Sequence, residues 1–81
     1  MPDDPIRLTL PSDPDLVSVA SVAVRAAARQ VALPETEIDR LRAAVVDTFT
    51  AQAAITDDPI EIVLHPHAGR MTIDVGSTRI E

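Results

Sequence analysis

Three short segments of the chain alternate between apolar and polar positions: Ile6, Leu8 and Leu10; then Ile60, Ile62 and Leu64; then Met71, Ile73 and Val75. A period of two places every second side chain on one face, so each segment predicts a strand with one buried side. The first strand is expected at about residues 5–10 and the other two as a hairpin at about residues 59–76. Pro66-His67-Ala68-Gly69 lies between the last two and predicts the hairpin loop, because proline and glycine punctuate regular structure.

The intervening chain changes to helical spacing. Ser12-Asp13-Pro14-Asp15 supplies capping oxygens, a proline suited to a first helical turn and acids at the positive end of the helix dipole, so a helix is expected at about residues 13–32. Leu33-Pro34 stops it, since the residue before proline is pushed out of the helical region. Glu35-Thr36-Glu37 then opens a second helix, expected at about residues 35–55. Ile38, Leu41, Val45, Thr48, Phe49 and Gln52 recur along one side of it, the side that packs on a sheet.

The order β-α-α-β-β, with every strand apolar on one face only, predicts an α+β protein: a two-layer α/β sandwich with two helices on one face of a small three-stranded sheet. A chain of 81 residues forms one domain, residues 1–81, with a thin core, and no cysteine is present to staple it. Stability must come from apolar packing or from a second subunit, so a homodimer is expected.

Charge narrows the function classes. Thirteen acidic against seven basic residues give a formal charge of −6, which repels a phosphate backbone, and Phe49 is the only aromatic on which a base could stack. Nucleic acid is not an expected partner. No apolar run approaches the ~20 residues of a membrane span, and the acidic start MPDDP lacks the basic region of a signal peptide, so a cytoplasmic location is expected.

In the first helix, Leu16, Val19, Ala20, Ala23, Ala27 and Val31 fit a core-facing side, whereas Val17, Val22, Val24, Ala26 and Ala28 fall largely elsewhere around the axis. Such a helix is apolar nearly all round, and its small side chains allow close approach of another surface. Val17, Ser21, Val24, Arg25 and Ala28 are therefore the expected partner-binding residues.

With these elements placed, LTLPSDPDLV, LPETEIDRLRAAVVDTFTAQAA and PIEIVLHPHAGRMTIDV together resemble the anti-sigma-factor serine kinases of the GHKL ATPase superfamily. The resemblance implies that Ile38–Ala54 is the nucleotide-site helix, on which the family carries a glutamate and, four residues later, a magnesium-binding asparagine. Asp47 and Ala51 stand at those positions here, and residues four apart share a helix face. Aspartate can still accept a proton, but alanine offers magnesium no oxygen ligand.

The family's adenine motif, an aspartate two residues before a glycine, is matched in spacing by Asp74-Val75-Gly76, yet strand alternation turns Asp74 away from Met71, Ile73 and Val75. Gly69 and Gly76 are the only glycines, too few for a phosphate-wrapping lid. The expected function is thus a non-catalytic bacterial regulator of transcription, a truncated and degenerate member of this group, with no cofactor and no metal. Its expected partner is a sigma factor, an anti-anti-sigma protein or a paralogue. The alternative is an ATP-binding kinase or nucleotide sensor completed by another chain, with Asp47 as base.

His65-Pro66-His67 offers two imidazoles but no third ligand, and Asp3-Asp4 and Asp57-Asp58 sit beside prolines as turn and cap residues.

Overall fold

Pro5 and Pro11 bracket the first strand, β1 (Ile6–Leu10), in a computed structural model that describes residues 4–81. The start MPDDP and the Asp3-Asp4 pair lie partly outside those residues. A 3-10 turn at Pro14–Leu16 follows, capped by Asp13, whose carboxylate accepts from the Asp15 amide at 2.9 Å. It leads into helix α1 (Val17–Gln30), and helix α2 spans Glu35–Ala53. Strands β2 (Ile60–His67), β3 (Arg70–Val75) and β4 (Thr78–Ile80) complete the chain.

The protein is α+β, with two helices over one antiparallel sheet in the order β1-β2-β3-β4. The sheet has four strands, not the expected three, so the element order ends in a third consecutive strand. Gly76 (φ 59) and Ser77 form the short turn into β4, and Val75 pairs with Thr78 directly across it. A glycine at the first central position matches the turn that suits strand twist. A Cβ at Gly76 would also lie 2.3 Å from Oε1 of Gln52, whose amide nitrogen donates to the Val75 carbonyl at 2.7 Å.

The hairpin loop is likewise tighter than expected, Ala68-Gly69 alone, because β2 continues through Pro66 to His67. The physical reason lies in the direction of the backbone groups. Gly76 N–H donates to the Glu61 carbonyl at 2.8 Å, which aims the backbone of Glu61, Val63, His65 and His67 at β3 and that of Ile60, Ile62 and Leu64 at β1. Pro66 belongs to the second set but lies beyond Leu64, where β1 ends at Ile6. Its missing N–H therefore costs no ladder bond.

Helix α1 ends before the expected residue 32. Leu33 N–H bonds the Ala28 carbonyl and Ala32 N–H the Arg29 carbonyl, both at 3.2 Å, with Ala32 left-handed at φ 56. That is a Schellman termination, made with alanine where glycine is usual. Pro34 then caps α2, its carbonyl accepting from Glu37 and Ile38 at 3.0 Å.

The core lies between the layers: Ile38, Leu41, Val45 and Phe49 of α2 and Ala20, Val24, Ala27 and Ala28 of α1 close on Ile60, Ile62, Leu64, Met71, Ile73, Val75 and Ile80. Helix α1 lies over the β2 side of the sheet and α2 over β3 and β4 as well. No helix among the described residues is long and apolar enough to cross a membrane.

Candidate interaction surface

The structure places the five expected contact residues of α1 largely inside. Val24 and Ala28 are fully buried, Ser21 is buried, Val17 is half-buried, and Arg25 alone is exposed. The expectation that Ser21, Val24 and Ala28 form an outward flank is corrected. A helix in this sandwich must satisfy two neighbours, the sheet and the other helix, so its buried stripe is wider than sheet contact alone demands and is rotated toward α2. Arg42 of α2 donates to the Ser21 hydroxyl at 2.9 Å, which fixes the side of α1 that faces its neighbour.

The opposite side of α1 is what remains open. At 100° per residue, Val19, Ala23 and Ala26 lie roughly opposite Ser21. Val19 is 45% exposed and Val22, beside them, is 68% exposed, while Ala26 is exposed and Ala23 partly so. Val19 was expected to face the core; it does not, because the stripe turned the other way. Arg25 and Arg29 border this flank on the Val22 side.

Since α1 lies over β2 and α2 over β3 and β4, the flank of α1 that points away from α2 is turned toward the β1 side of the sheet. On that strand Ile6 is 43% exposed, and Leu8 and Leu10 are only partly buried. Among the described residues the exposed large apolar side chains are thus Ile6 on β1, Val19 and Val22 one turn apart on α1, and Ile55 after α2. The outer edge of β3 is covered along Ile73–Val75 by β4.

The residues that the resemblance assigns to a nucleotide site do not converge. Asp47 and Ala51 are both exposed on the side of α2 away from Val45 and Phe49. Asp74 occupies the opposite face of the sheet, as its strand position predicts. There its carboxylate accepts from Arg79 at 2.8 and 3.2 Å and lies 3.0 Å from Nε2 of His65. The Arg79 guanidinium, and then the His65 ring, hold the Asp74 carboxyl down at about 2. Asp47 and Asp74 are separated by the sheet and cannot share one ligand in this fold.

A cleft of about 310 Å³ opens elsewhere, between the start of α2 and the β2-β3 turn, lined by Thr36, Glu37, Arg40, Arg70, Thr72 and Glu81 among others. Neither Asp47 nor Ala51 lines it. Arg40 is already engaged there, with the Glu37 carboxylate, whose pKa it lowers by hydrogen bonding, and with the Glu81 carbonyl at 2.9 Å. His65 and His67 point to the open sheet face, where His65 meets Asp74 rather than a metal-ligand set. Comparison of the chain with protein-family models, with curated proteins and with solved structures returns no match.

Proposed function

We propose that this chain is a non-catalytic regulatory module that works by protein–protein contact, as the resemblance of its sequence to anti-sigma factors suggests. The observation that carries the proposal is the pair of exposed valines, Val19 and Val22, one turn apart on the outer arc of α1. Exposed apolar residues that adjoin one another on a helix, as Val19 and Val22 do, favour a docking role, whereas the same residues scattered singly would need no explanation. The dispersal of Asp47, Ala51 and Asp74 supports the non-catalytic half of the proposal.

The module acts in the bacterial cytoplasm, on a sigma factor, an anti-anti-sigma protein or a paralogue. Val22 is the residue to test, because it is exposed and its replacement leaves the core intact. Val22→Asp is expected to keep the melting temperature within about 3 °C, an exposed substitution being worth about ±0.5 kcal/mol. It is also expected to weaken association with the cognate partner at least tenfold, as an unpaired carboxylate would enter an apolar contact. Titration of the wild-type and Val22→Asp proteins against each of the three partner classes measures this. Binding to none of them, or binding indifferent to the substitution, contradicts the proposed surface.

A further inference from the structure

The backbone of β1 says what can cover its edge of the sheet. Ile6, Leu8 and Leu10 pair with Leu64, Ile62 and Ile60, whose backbone groups face β1, so these three residues make the β1-β2 bonds. The N–H and C=O groups of a strand residue point to the same edge and alternate along the chain. Arg7 and Thr9 therefore direct theirs outward, away from the sheet. Pro5 and Pro11 occupy the next positions of that alternation at each end, where a proline has no N–H to offer. The free donors of this edge are bounded to Arg7 and Thr9.

We infer that β1 pairs antiparallel with β1 of a second copy of this chain, about a two-fold axis at Leu8. The inference rests on the interaction role proposed above and assigns the occupant of the β1 edge, leaving Val22 on the outer arc of α1 to the regulatory partner. In that register Arg7 lies opposite Thr9 of the second copy, and Thr9 opposite Arg7, each pair exchanging both backbone bonds. Leu8 meets its own copy across the axis on the helix side, with Ile6 beside Leu10 of the other chain.

The neighbouring registers are poorer. Centring the axis on Arg7 sets two guanidinium groups opposite one another and brings Thr9 against Pro5, while centring it on Thr9 brings Arg7 against Pro11. Like charges directly opposite are destabilising, and a proline cannot complete a hydrogen-bonded pair. Centred on Leu8, the Arg7 side chain instead keeps its ion pair with Glu61 at 3.7 Å and faces a threonine hydroxyl. The edge is self-complementary in one register only.

Absence of native cysteine makes the register directly readable. Sedimentation of the wild-type chain is expected to give twice its mass of 8.7 kDa. Thr9→Pro removes an outward N–H without touching the β1-β2 bonds and is expected to give a folded monomer by circular dichroism. Leu8→Cys is expected to form an interchain disulfide on mild oxidation, because non-hydrogen-bonded partners sit with Cα atoms about 4.5 Å apart, within disulfide reach. Arg7→Cys and Thr9→Cys are expected to cross-link when mixed but not singly.

A wild-type monomer at several hundred micromolar overturns the inference, as does a cross-link that forms at Arg7→Cys alone and not at Leu8→Cys. Thr9→Pro that remains dimeric overturns it too. A monomer that captures an extended peptide of another protein along this edge would count against self-pairing. Val22-dependent binding of a regulatory partner by a monomer overturns self-pairing alone, while a dimer indifferent to every partner overturns the regulatory proposal alone.

Discussion

Phe49→Ala is expected to remove about 3–5 kcal/mol of stability, the range for deleting a buried aromatic side chain. Phe49 is the only aromatic residue, is fully buried, and sits on the face of α2 that closes on the sheet. For a domain of 81 residues the whole folding free energy is roughly 4–12 kcal/mol, so this one substitution removes a large share of it. Urea denaturation measures the loss, and at about 4–8 °C per kcal/mol the melting temperature falls by well over 10 °C. A loss below about 1 kcal/mol would mean that α2 does not seal the core as described.

Val24→Asp is the second large effect, and it separates the inner side of α1 from the outer. Val24 is fully buried in the cluster formed with Ala20, Ala27, Ala28 and the sheet. An unpaired charge left in such a place costs about 3–5 kcal/mol, or is neutralised at a comparable expense through a raised pKa. Circular dichroism is expected to show a largely unfolded chain or a melting point lowered by well over 10 °C. A folded Val24→Asp protein that had lost only its partner would restore Val24 to the contact surface and contradict the burial of this helix face.

That contrast also marks what the sequence made legible. Period-two alternation located β1, β2 and β3, and the Leu33-Pro34 junction separated the helices, because each signal is local. The packed face of α2 was legible because charged residues such as Asp39, Arg40 and Asp47 mark its outer side, and even Gln52 lies on the packed face, bonded to Val75. Helix α1 meets both the sheet and α2, and a helix rich in valine and alanine offers few polar residues to show which way it turns. Val19 and Val24 are accordingly exchanged between inside and outside relative to the expected face.

Strand β4 is three residues long with one buried apolar side chain, Ile80, so it has almost no period to detect. Gly76-Ser77 was its available signal, a two-residue turn pair between Val75 and Thr78. The β1 edge needed more than pattern. Pro5 and Pro11 are visible in the sequence, but their phase relative to Arg7 and Thr9 acquires meaning only once the Gly76–Glu61 bond fixes which way each backbone group points.

The central proposal is that the chain works by protein contact and that the helix carrying Asp47 and Ala51 does not serve a nucleotide. Thermal melting with and without Mg-ATP tests it most directly. A bound ligand at a hundredfold excess over its dissociation constant would add about 2.7 kcal/mol, a rise of roughly 10 °C or more in a domain of this size. The expected result is no shift at millimolar Mg-ATP; a rise of several degrees that disappears in Asp47→Ala would contradict the account.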